Sequence, residues 1–185
     1  HLHSAEMFCY VGVGGRHEAP QVSGVSHFLE HQIFRGTAEY ASSLELEQAF
    51  EAIGGAVNAS PDTEITCYHS RLHPERLHEG AALFASMLLR PRLTDLEVER
   101  RIITEEALED FNERGAEINP DNLTGSLLWP GHPLSQPTIG SRASIAALDE
   151  ETLRRHFSRY YTPANTVVAV AGPVTSEGVV AAVAA

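Results

Sequence analysis

His27, Phe28, Leu29, Glu30 and His31 spell an H-x-x-E-H run. On a helix, residues four apart share a face, so His27 and His31 can aim two imidazoles at one metal ion. Glu30 stands one residue from His31 and three from His27, and its carboxylate can reach the open side of that ion. Two imidazoles with a carboxylate suit Zn²⁺, and a catalytic zinc keeps one position for water. The same three side chains also fit a plain solvated helix face, so the run alone leaves both readings open.

A zinc site needs a third protein ligand, and the stretch after Thr94 offers one. Glu99 and Glu106 are seven residues apart and share a helix face. That face is flanked by Leu96, Ile102, Ile103 and Ala107, which read as core. Carboxylates among apolar side chains are costly unless paired or metal-bound. Glu105 projects away, which makes Glu106 the better ligand and Glu99 the better supporting acid. The competing reading is an acidic surface helix carrying Glu97, Glu105, Glu109, Asp110 and Glu113.

These residues need elements to hold them. Ala5 to Val13 reads as a strand closed by Gly14-Gly15. A helix is expected from Gly24 to Arg35, with Ser23 as N-cap and Gly36 as stop. A second runs from Leu44 to Ile53, with Ser42 and Glu45 as a capping box. Ala56 to Ser60 and Glu64 to Leu72 form a hairpin around Pro61-Asp62. Pro74 opens a helix whose apolar face is Leu77, Phe84, Met87 and Leu88. Thr94 and Glu97 suggest a capping box for a helix reaching Arg114. Asn119 to Gly140 is loop-rich around a short helix at Leu123 to Leu128. A further helix covers Asp149 to Tyr161, and Thr166 to Ala171 is the best buried-strand candidate. A last helix begins near Ser176. The mixture predicts an α+β domain, with helices packed on one face of a mostly antiparallel sheet.

Gly24 to Thr37, G-V-S-H-F-L-E-H-Q-I-F-R-G-T, closely resembles the active-site helix of the pitrilysin family of zinc peptidases, the inverzincins. The resemblance continues through Gly54-Gly55-Ala56-Val57-Asn58-Ala59 and the run from Glu99 to Glu106. It extends to Tyr160-Tyr161-Thr162-Pro163-Ala164-Asn165 and so covers nearly the whole chain in order. It implies that His27, His31 and Glu106 bind one Zn²⁺, that Glu30 activates water, and that Glu99 supports the site. It implies too that Ala56, Val57, Asn58 and Ala59 belong to an edge strand that pairs with an extended peptide substrate. Asn58 equally fits a hairpin-end role.

The same resemblance implies a clamshell of two related halves, and 185 residues provide one, here read as a single zinc-bearing domain over residues 1–185. A second homologous subunit or a C-terminal half is therefore expected as partner, bringing an Arg and a Tyr to the substrate site. Arg154 and Tyr161 match the ordinary late helix of the zinc-bearing half and are not assigned to that role.

Composition bounds the rest. Hydrophobic residues are 43% and charged residues 21%, enough for a core and against intrinsic disorder. A net charge of −12 argues against nucleic acid or an anionic membrane surface as partner. No apolar run has the length of a membrane span, and no signal peptide is recognised. The compartment stays open, with a soluble protein of bacterial cytoplasm or periplasm as the expectation. Two cysteines, Cys9 and Cys67, make no disulfide framework and read as core residues, while Met7, Met87 and Trp129 read as packing. His69, His73 and His78 lack metal spacing. The leading expectation is a zinc metalloendopeptidase acting on short or unfolded peptides bound as a β-strand. The alternative is a weakly catalytic or non-catalytic assembly or maturation subunit that binds a partner and one dedicated peptide.

Overall fold

The computed structural model describes residues 3–185. β1 (Ala5–Val11), β2 (Val57–Pro61), β3 (Thr66–Leu72) and β4 (Thr166–Ala171) form one open sheet in the order β2-β3-β1-β4. All three pairings are antiparallel: β1 with β3, β1 with β4, and β2 with β3. Period-two alternation decides what each strand buries. Met7, Cys9 and Val11 of β1, with Tyr68 and Leu72 of β3, point into the core. Phe8 lies on the other face, stacked on Tyr10 at 5.9 Å and on His69 at 5.4 Å between ring centroids.

The helices supply the rest of that core. They are α1 (Val25–Ile33), α2 (Ser43–Ala52), α3 (Leu77–Leu89), α4 (Leu96–Glu106), α5 (Pro120–Leu128), α6 (Arg142–Ala147), α7 (Glu150–Tyr160) and α8 (Ser176–Ala184). Val25, Phe28, Leu29 and Ile33 give α1 a fully buried stripe, and α1 packs chiefly against α7 and α4 within a core that also takes in Leu46, Phe50, Phe84 and Ile103. The expected α+β architecture is what forms. Among the described residues no helix is long and apolar enough to cross a membrane.

Several local expectations change. Thr166 to Ala171 forms the strand foreseen, but as an edge strand only half covered, with Val167 exposed. The run T-V-V-A-V-A reads as buried because it lacks charge, not because two neighbours flank it. Thr94 and Glu97 make no capping box. Asp95, in the left-handed region at φ 59°, leads α4, and its carbonyl accepts from the Val98 and Glu99 N–H groups. α4 ends at Glu106 rather than Arg114, tightening into a 3-10 turn over Ala107–Asp110. The chain then doubles back, since Asn112 Oδ1 accepts from the Arg114 and Ala116 N–H groups and Phe111 bridges to Glu117. Asn112 with Gly115 is a turn signal that the acidic helical pattern obscured. Ile102, read as core, and Trp129, read as packing, are exposed. α6 went unforeseen within its Ser- and Ala-rich sequence.

Candidate metal centre

α1 brings the two histidines, and its ends explain how it is held. Gly24 leads the helix at φ +88°, a left-handed conformation that suits glycine. Ser23 does not cap it. The carboxylate of Glu18 does, accepting from the Gly24 N–H at 2.6 Å and the Ser26 N–H at 2.8 Å. At the far end the Phe34 and Arg35 N–H groups bond to His31 and Gln32 carbonyls, and Gly36 at φ +122° turns the chain away.

His27 and His31 lie on the α1 face that meets α4, with ring centroids 4.9 Å apart. Nε2 of His27 is 3.5 Å from Oε1 of Glu106, and Nε2 of His31 is 3.4 Å from Oε2 of the same carboxylate. Glu30 approaches His31 Nε2 to 3.8 Å. One donor atom from each of His27, Glu30 and His31 falls within 4.8 Å of the others. Both oxygens of Glu106 thus face imidazole nitrogens, whereas Glu30 stands to one side with a single near contact.

Glu99 sits behind this cluster, 1% exposed. Its Oε2 is 3.1 Å from His31 Nδ1, and Arg35 forms an ion pair with its other oxygen. The guanidinium offsets the cost of burying that carboxylate. Arg35 was missed from sequence, although its step of four from His31 places it on the same helix face. Arg100 was missed too. From α4 it donates to the Leu148 carbonyl at 2.6 Å and to the Ile145 carbonyl, and its guanidinium lies 5.7 Å from the Phe28 ring centroid. It ties α4 to α6 and to α1.

Burial shapes the electrostatics. His27 is pushed down to about 4, first by desolvation and then by the neighbouring His31, so its imidazole is neutral at pH 7. Glu30 is raised to about 7 by desolvation, against the pull of His31 and helped by Glu106 and Glu99. Glu106, still partly exposed, is raised as well, chiefly by desolvation. A neutral imidazole and a carboxylate are the donor forms that zinc takes. The His31–Glu99 contact is the kind of partner that fixes a ligand imidazole through its second nitrogen. For His27, Nδ1 is buried with no hydrogen-bond partner among the described residues. The donor set therefore fits zinc, with the second nitrogen of only one histidine fixed.

β2 adjoins the cluster. It is the sheet edge beyond β3, and its last residue, Pro61, lines a cavity of about 370 Å³ together with His27, Glu106 and Asn119. Val57, Asn58 and Ala59 lie in β2, and Ala56 immediately precedes it. Asn58 is exposed and makes only a 3.5 Å contact to the Ala56 carbonyl. Other residues take ordinary places. His69 pairs with Glu6 at 3.4 Å, and His73 accepts from the Glu75 N–H. Tyr161 is buried against Tyr68, their hydroxyls 2.7 Å apart, and Arg154 pairs with Glu150.

The H-x-x-E-H helix is thus faced by a carboxylate from a second helix and flanked by an open sheet edge. The chain belongs to the insulinase family, peptidase family M16, whose profile matches residues 2–142. Its relatives are named as zinc proteases or as a processing-peptidase subunit. An uncharacterised zinc protease of Mycobacterium tuberculosis is 37% identical over 185 residues, covering 98% of this chain and 41% of that protein. One of Bacillus subtilis is 32% identical over 180 residues, covering 94% of this chain and 42% of that protein. The mitochondrial-processing peptidase subunit beta of Caenorhabditis elegans is 29% identical over 179 residues, covering 96% and 38%. A protease from Helicobacter pylori, known from its crystal structure, superposes with a TM-score of 0.88 at 26% identity, covering 97% of this chain and 43% of that one. The chain therefore spans about two-fifths of the length of the curated relatives it matches.

Proposed function

We propose that residues 1–185 are a zinc-bearing half of a metalloendopeptidase that hydrolyses peptide bonds in short or unfolded peptides. His27, His31 and Glu106 are the residues that would hold one Zn²⁺. When bound, such an ion supplies Lewis-acid polarisation of the scissile carbonyl and makes water more acidic. Glu30 takes the proton from the attacking water and passes it to the leaving amine. Its raised pKa suits that exchange near neutral pH, and a cation beside it would draw the value down again. Glu99, anchored by Arg35, orients His31 and keeps its Nε2 aimed at the cluster. The edge of β2, from Ala56 to Ala59, pairs with the peptide backbone as an added strand, a mode of binding that reads few side chains.

The observation that carries this reading is the convergence of both histidine Nε2 atoms on the two oxygens of Glu106. The covered share of the relatives' length supports a second half or a second, homologous subunit that completes the substrate site. A pure assembly subunit has no physical use for Glu30 in this place. Elemental analysis of the purified chain tests the proposal, with one zinc per chain expected in the wild type and loss of it in His31→Ala. Wild-type protein that takes up no zinc after the metal is added back would overturn it.

A further inference from the structure

The first turn of α1 is gripped by a side chain outside any motif. Glu18 lies in the loop after β1 and is 5% exposed, yet its carboxylate is spent on two backbone N–H groups, those of Gly24 and Ser26. Its own carbonyl accepts from Gln136 Nε2 at 3.1 Å, which fixes the loop that carries it. Ser26 is fully buried, and its Oγ lies 3.0 Å from Nε2 of His156 on α7. His27 follows Ser26 directly. The backbone that sets the first imidazole is thus clamped from one side by Glu18 and from the other by His156.

At the other end of the motif, Glu99 holds His31 and Arg35. α1 is therefore held by two buried carboxylates, one on its leading N–H groups and one on its second imidazole. A carboxylate at a helix N-terminus also complements the helix dipole. Rotation or slippage of the first turn would carry His27 Nε2 away from Glu106, because the two imidazoles are fixed to one short rod.

We propose that Glu18 is a positioning residue of the metal centre, its carboxylate holding the first turn of α1 so that His27 and His31 jointly face Glu106. The proposal rests on the zinc reading, and one of its two measurements is made without the metal.

Zinc affinity is measured by chelator competition on the full chain for wild type, Glu18→Gln and Met87→Ala, each confirmed folded by circular dichroism. Met87→Ala removes core packing on α3 and leaves α1 anchored. In Glu18→Gln one carboxylate oxygen becomes an amide NH2, a donor facing a backbone N–H donor. Affinity should weaken about 10–100-fold in Glu18→Gln, the range for partners that orient ligands, and by no more than about twofold in Met87→Ala. The second measurement is amide hydrogen exchange on metal-free protein. Residues 25–28 should exchange at least about tenfold faster in Glu18→Gln, with α3 unchanged. Zinc affinity within twofold of wild type overturns the proposal, even with faster exchange, because Glu18 is then only a cap. Equal weakening in Met87→Ala overturns it too, as does exchange that rises uniformly. Wild-type protein that binds no zinc defeats the metal reading and with it the role given to Glu18, whereas a wild type that binds zinc beside an unaffected Glu18→Gln defeats the Glu18 proposal alone.

Discussion

Glu30 and Glu106 are two carboxylates that both approach Nε2 of His31 from different surroundings, and their replacements should separate their roles. Glu30→Gln is expected to keep zinc and lose peptidase activity by about 10²–10⁴-fold, the range for a positioned acid–base group. The check is turnover of a fluorogenic peptide beside zinc content. Glu106→Gln should instead lower zinc affinity, read by the same chelator competition. Gln32 offers a stability test next door. It is fully buried on α1, and neither its Oε1 nor its Nε2 has a partner among the described residues. Gln32→Met should therefore raise stability by about 1 kcal/mol in urea unfolding, since a buried amide without hydrogen bonds is costly. His156 gives the pH dependence. Burial, with His17 and Arg159 nearby, pushes it down to about 4. The unfolded chain binds that proton near pH 6.5 and the folded chain does not, so stability is lost as pH falls from 6.5 toward 4. His156→Gln should flatten that fall by on the order of 2–3 kcal/mol, checked by urea midpoints across this range.

At the scale of elements, α1 is the piece on which the site depends. Gly24→Ala would force a left-handed non-glycine residue, and its Cβ would meet the Ile139 carbonyl oxygen at 2.3 Å. A loss of roughly 2 kcal/mol or more is expected in urea unfolding. The apolar stripe of Val25, Phe28, Leu29 and Ile33 was legible in the sequence because a 3.6-residue period shows through any context. So was the β2–β3 hairpin, whose turn is marked by Pro61 and Asp62. The cap on α1 was not legible. Ser23 is a favoured residue in a favoured position, and the group that does the work arrives from Glu18, in a loop with no local pattern linking it to the helix. α4 misled for the opposite reason: its acidic run continues past Glu106, and only the turn made by Asn112 and Gly115 ends the helix. Spacing put Glu99 and Glu106 on one helix face without separating them; burial separates them, since Glu99 is 1% exposed and Glu106 lines the cavity. Arg35 and Arg100 needed tertiary structure, since what they contact lies far away in sequence.

At the scale of the molecule, the donor atoms come from separated parts of the chain. His27 and His31 lie near the first sheet strand, and Glu106 comes after the hairpin and two helices. Saturating zinc at 100 times its dissociation constant should stabilise the fold by about 2.7 kcal/mol. Calorimetry with and without a chelator checks this, and an unchanged midpoint in a zinc-loaded sample would contradict the ligand set. The cluster also closes a loop of about 75 residues between His31 and Glu106, and closing so long a loop removes considerable freedom from the chain. A zinc ion held by these residues would be a fastener as well as a reagent. Stripping the ion should loosen the α1–α4 seam before it unfolds the sheet, and the exposed turn from Asn112 to Gly115 would become an early cleavage site for any other protease in the same solution.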